Sequence, residues 1–96
     1  MLQEITDFHD EGKELRGVLA TLTPKQAHKG IAFERFSDDG PLALLPTGTD
    51  YTLVWTQTPE QAAARLALPD AEFIAEVEQR FADRVGGFSA VAGRAS

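Results

Sequence analysis

Read as apolar and polar positions, the chain changes period once. Up to Thr56 the apolar residues alternate or fall in short β-rich runs, and beyond Pro59 they recur every three to four positions. The run over residues 15–23 is rich in β-formers and stops at Pro24, which lacks a ladder N–H and biases Thr23 away from helix. It reads as a strand. Gly30 opens a second, over residues 31–36, in which Phe33 and Arg35 share one face while Ala32, Glu34 and Phe36 share the other. Both faces of this strand therefore carry bulky apolar groups. Ser37-Asp38-Asp39-Gly40 reads as a tight turn, with Asp side chains able to bond nearby backbone and a glycine free to take positive φ. Residues 42–46 form the returning strand. Thr47-Gly48-Thr49-Asp50 is a second turn, followed by a strand over residues 51–56 with Tyr51, Leu53 and Trp55 on one side. Three successive strands with short turns predict an antiparallel meander.

The change of period is marked by Thr58-Pro59-Glu60-Gln61. Thr58 is a favourable N-cap, Pro59 fits the first helical position and Gln61 completes a capping box, so a short helix to about Ala67 is expected. Asp70 is then expected to cap a second helix. Its stripe is Phe73, Ile74, Val77, Phe81 and Val85, with Glu76 and Arg80 as an i, i+4 pair outside and Gly86-Gly87 as the stop. The tail holds an extended-looking Phe88-Ser89-Ala90-Val91 and then small residues, with no packed closing element foreseen. Residues 1–14 are polar and acidic, anchored mainly by Ile5 and Phe8, and read as an edge strand or a loosely held arm. The domain proper is residues 15–96. Its expected class is α+β: an antiparallel sheet of about four strands, two helices packed on one face, the other face open. That open face should dock against something outside this chain.

Composition narrows the function. At 96 residues, 43% apolar and 25% charged, the chain is one small globular domain. Nine basic against fifteen acidic residues give a net charge of −6, which disfavours nucleic acid as a partner and anionic membranes as a main target. Zero cysteines exclude disulfides, thiolate zinc and thiol catalysis. No apolar run approaches a bilayer span of about 20 residues and the N-terminus lacks a secretory pattern, so a cytoplasmic location is expected. His9 and His28 lie in no metal-ligand spacing, and Asp38-Asp39 is better explained by its turn. Ser37, Ser89 and Ser96 lack nucleophile context, and Gly86-Gly87 follows a helix rather than opening one. Arg35, beside Phe33, could meet an anionic or aromatic group, although an ion pair with a neighbouring carboxylate is the plainer use. No catalytic constellation emerges from the residues alone.

One stretch is more specific. The block Phe33-Glu34-Arg35-Phe36-Ser37-Asp38-Asp39-Gly40-Pro41-Leu42-Ala43-Leu44-Leu45-Pro46, followed by Leu53-Val54-Trp55-Thr56 and Pro59-Glu60, resembles the flavin-dependent aromatic hydroxylases of ubiquinone biosynthesis. These include the octaprenyl-methoxyphenol hydroxylases, within the wider p-hydroxybenzoate hydroxylase group. A helix with F-x-x-x-V-x-x-x-F spacing and a closing G-F-x-x-V-x-x-R, Gly87 to Arg94, extend the likeness over roughly residues 15–94. The family binds FAD through a GxGxxG turn, a DG segment and a GD motif; no GxGxxG or GD occurs in this sequence, and its Asp39-Gly40 belongs to the tight turn before the returning strand. The resemblance therefore implies a middle, substrate-binding portion of an FAD-dependent monooxygenase. FAD and NAD(P)H would act in the full-length enzyme, with neither bound by this chain, which alone would be inactive.

The implied partners are an aromatic polyprenyl substrate and the FAD domain of a longer parent, itself peripherally associated with a membrane; the isolated piece should form homo-oligomers through its open face. Where relatives carry an apolar residue after LLP, Thr47-Gly48-Thr49 stands here. The expected substrate-facing residues are Phe33 and Arg35, with Leu45 and Pro46 at the pocket rim, on the face opposite the one that carries Tyr51, Leu53 and Trp55. Two rival readings are a self-standing acidic α+β protein-interaction module and a small dimeric enzyme with its site between subunits.

Overall fold

Pattern and turn chemistry produce seven elements in the computed structural model, which describes residues 15–37, 40–81 and 84–96. They are β1 (Arg16–Pro24), β2 (Phe33–Ser37), β3 (Gly40–Thr47), β4 (Asp50–Gln57), α1 (Pro59–Ala67), α2 (Asp70–Phe81) and β5 (Phe88–Ala95). The expectation for residues 1–14 lies outside the described residues, as does the detail of the turn at Asp38 and Asp39. All pairings are antiparallel, and the sheet order is β2-β3-β4-β1-β5. The fold class is α+β with one helix-covered face, as the pattern implied, but the sheet has five strands rather than about four. The tail supplies the extra one. Its small residues carry weak β-propensity, and only the pairing of Leu22 with Val91 and Thr21 with Ala92 makes them a strand.

The two hairpins set the register. Thr47 pairs with Asp50 across a two-residue loop in which Gly48 takes φ +61°, the positive value that lets a short loop follow the twist of its strands. Ser37 pairs with Gly40 in the same way, and the Ser37 hydroxyl donates to the Gly40 carbonyl at 2.8 Å. Side chains of directly paired residues point to the same face, so Trp55, Leu42 and Arg35 form one row and Leu53, Leu44 and Phe33 the next.

On this face Val18, Ala20, Leu22, Leu42, Leu44 and Leu53 are buried beneath Ala62 of α1 and Phe73, Val77 and Phe81 of α2. Trp55 sits at the centre with no solvent exposure. The guanidinium carbons of Arg65 and Arg80 lie 4.7 and 4.9 Å from its ring centroid, one from each helix. Arg80 also completes the foreseen i, i+4 pair, with Glu76 at 2.7 Å. The indole is thereby covered by two cations, and its ring stands tilted to that of Phe73 with centroids 6.4 Å apart.

The capping box that opens α1 is formed in full: Gln61 N–H donates to Thr58 Oγ1 at 3.2 Å, and Thr58 N–H to Gln61 Oε1 at 2.9 Å. Replacing Thr58 by Ala should lower unfolding stability by about 0.5–2 kcal/mol, and Thr58→Ser should recover most of it. Urea titration followed by far-UV dichroism measures both; an unchanged midpoint for Thr58→Ala would contradict the role given to the cap.

Two details of α2 depart from expectation. Asp70 is its first residue rather than its cap, because the Phe73 N–H donates to the Pro69 carbonyl and the Asp70 carboxylate is taken by Arg94 at 3.0 Å. Val85 lies past the helix, in a bend, and reaches the core from there. Arg94 reaches its position through a bulge: three steps of β5, Ala92 to Ala95, oppose two of β1, with Gly93 at φ +63°. Its guanidinium then bonds the Arg65 carbonyl at 3.2 Å and covers the Phe73 ring at 4.9 Å, tying β5 to both helices.

Candidate functional site

The face of the sheet turned away from the helices carries no covering element among the described residues. The same register that buries Leu53 and Trp55 sends Glu34, Ala43 and Val54 to this side as one row, with Leu19 beyond, and Leu45 with Thr52 as the next. Phe36 is 84% exposed, Leu19 45% and Leu45 43%, a large apolar presentation for so small a domain. Beside Phe36 lies a cleft of 170 Å³ lined chiefly by Glu34, Phe36, Pro41, Ala43, Val54 and Thr56. Glu34 is the one acidic residue among the described residues lining it. A small planar ring could lie on Ala43 and Val54, flanked by Phe36, with a hydroxyl directed to the Glu34 carboxylate.

Gly40, next to Pro41 of this cleft, sets how closely β3 approaches Thr56 of β4. A Cβ there would stand 2.0 Å from the Thr56 carbonyl oxygen, and its φ is +107°, so β3 and β4 approach as they do only because this residue has no side chain.

The structure separates the four residues expected to face a substrate. Leu45 is on the open face. Pro46 pairs with Tyr51, and Phe33 with Leu44, so both belong to the helix-side set. Phe33 packs edge-on against Tyr51 and Phe81, at 6.3 and 6.4 Å between centroids. Arg35, paired with Leu42, shares that side and stays exposed, bordering the open-face cleft only at its edge. Placing Phe33 and Arg35 opposite Tyr51, Leu53 and Trp55 is thus corrected: two consecutive two-residue turns carry the helix-side parity from β4 through β3 to β2. Glu34, Phe36, Ala43 and Val54 were missed as a site, although alternation already put Glu34 and Phe36 together.

The described residues do not fit the pyrophosphate of FAD. At the start of α1 the capping box takes the Gln61 N–H, Pro59 has none and Glu60 adds negative charge, while α2 begins with Asp70 and Glu72, whose charges oppose a phosphate. Among the described residues, no group of three or more His, Cys, Asp or Glu side chains could hold a metal ion. Nor is any helix among them long and apolar enough to cross a membrane.

Comparison with known proteins agrees with the sequence blocks. No protein-family model matches the chain. A ubiquinone hydroxylase, UbiL, of Rhodospirillum rubrum is 40% identical over 70 residues, 72% of this chain and 16% of that protein. An uncharacterized Synechocystis protein is 44% identical over 78 residues, 80% of this chain and 19% of its own length. The mitochondrial ubiquinone biosynthesis monooxygenase COQ6 of Drosophila melanogaster is 40% identical over 68 residues, 68% of this chain and 14% of the enzyme. The chain thus spans less than a fifth of the length of each of these relatives, and over that span it belongs to the ubiquinone-biosynthesis hydroxylase and monooxygenase family.

Proposed function

We propose that this chain is the substrate-roofing sheet of an FAD- and NAD(P)H-dependent monooxygenase that hydroxylates the ring of a polyprenyl phenol. The observation that carries the reading is the asymmetry of the sheet. One face is closed by two helices, while the other holds a ring-sized apolar cleft with a single carboxylate among its described lining residues. The ring would lie on Ala43 and Val54, its phenolic hydroxyl would donate to Glu34, and the tail would run over Leu45 and Leu19. The flavin and its oxygen chemistry belong to the rest of a longer parent, since the residues present do not fit it.

The test is a graft. This chain's residues 15–95, put in place of the matched segment of the Rhodospirillum rubrum hydroxylase, should yield an enzyme that retains flavin and hydroxylates its phenol. Leu45→Asp in that graft should raise KM about tenfold or more at unchanged flavin content, because a carboxylate would be set against the apolar tail. A flavin-loaded graft whose KM ignores Leu45→Asp would overturn the assignment of the open face.

A further inference from the structure

A second and larger cleft, of 520 Å³, opens on the helix side of the sheet, where β2 and β4 begin. The loop from β1 to β2 forms one wall and the residues after α2 the other. Ile31, Phe33 and Val85 supply apolar surface, and Tyr51 forms part of the base. The rim carries Lys29 and Arg84, and no acidic residue is among the described residues lining the space, although the chain holds fifteen acids against nine bases. A concentration of positive charge in an acidic protein, beside an apolar wall, is the complement of a small anion with an apolar body.

The loop that carries Lys29 is held in place. His28 Nδ1 accepts from the Gly30 N–H at 3.0 Å, which puts the imidazole proton on Nε2, and Nε2 donates to the Gly48 carbonyl at 2.7 Å. The ring also lies 5.2 Å from that of Tyr51. His28 is thus spent on fixing the loop to the β3–β4 turn, leaving the charge of the rim to Lys29 and Arg84. Burial pushes the Tyr51 hydroxyl above its ordinary pKa of 10, so at neutral pH it stays protonated and adds no negative charge. The volume falls within the range of sites for small organic ligands.

We propose that this cleft binds a small amphipathic carboxylate, its ring or chain against Ile31, Phe33 and Val85 and its carboxylate between Lys29 and Arg84. The site lies on the opposite side of the sheet from the open-face cleft and does not depend on the function proposed for that face.

The probe is 2-naphthoate, titrated into the full chain near neutral pH at low salt and followed by amide NMR shifts. Shifts should centre on residues 26–31, 51 and 84–86, and the uncharged analogue 2-naphthalenemethanol should bind about tenfold more weakly or worse. The double variant Lys29→Gln, Arg84→Gln should weaken naphthoate by a similar factor while leaving the alcohol's affinity and the thermal midpoint unchanged, because both side chains are on the exposed rim. Val85→Trp, which fills the apolar wall, should abolish binding of both compounds. Equal affinity for acid and alcohol would overturn the proposal. So would shifts centred on residues 34, 36, 43 and 54, or no shift at about 5 mM probe.

Discussion

Trp55→Ala is expected to remove about 3–5 kcal/mol of stability, a large share of the roughly 5–15 kcal/mol that holds a domain together. The indole is fully buried at the centre of the core, in contact with both helices and the sheet. Its loss leaves a cavity that α1 and α2 cannot both collapse into, since each is tied elsewhere: α1 by the Arg65 carbonyl, which accepts from the Arg94 guanidinium at 3.2 Å, and α2 by the Glu78 carboxylate, which accepts the Phe88 N–H at 2.8 Å. Two guanidiniums would also lose the ring that they cover. Trp55→Phe separates these effects. It keeps an aromatic face for Arg65 and Arg80 and removes the indole Nε1, a buried donor without a hydrogen-bond partner, so its cost should be less than half that of alanine. Guanidinium denaturation of the three proteins gives the comparison, and equal midpoints for Trp55→Ala and the parent chain would refute the central place given to this residue.

Gly40→Ala should cost about 2–6 kcal/mol, the sum of strain at a positive φ and a clash that only backbone movement can relieve. The atom met at 2.0 Å is the carbonyl oxygen of Thr56, which cannot rotate away as a side-chain tip would. Separation of β3 from β4 at this end would disturb the open-face cleft as well as the ladder. Gly48→Ala is the control. That glycine has φ +61°, but a methyl group there would meet nothing within 4 Å, so conformational strain alone, about 1 kcal/mol, is expected. Comparable melting temperatures for the two variants would mean that the steric contact at Gly40 is relieved at no cost.

Much of this fold is written locally. The Thr58-Pro59-Gln61 signal places the start of α1 because each residue satisfies or removes a backbone donor within four positions of itself. The Phe73, Val77 and Phe81 spacing fixes the buried side of α2, and the alternation Tyr51, Leu53, Trp55 fixes that of β4. Even the face of Phe33 was legible in principle. Two turns of two residues each leave one register, in which Trp55 pairs with Leu42 and Leu42 with Arg35, so that treating the turns as register markers would have put Phe33 under α2 and Glu34 on the open face.

Other features depend on contacts distant in sequence. β5 has few β-formers, and it is a strand because β1 offers an unpaired edge some seventy residues earlier in the chain, as with Leu22 and Val91. Asp70 reads as a cap until Arg94 arrives through the Gly93 bulge and takes its carboxylate. The two clefts are likewise products of assembly: one exists because both helices pack on a single face, the other because a loop pinned by His28 meets the segment beyond α2. By itself the sequence determined β1 to β4, the two helices, the buried sides of β4 and α2, and the family blocks, since periodicity, capping and ordered motifs act over a few residues. Tertiary structure alone decided which edges paired, that the tail became β5 and where the cations converged, because those follow from long-range register and packing that no local pattern encodes.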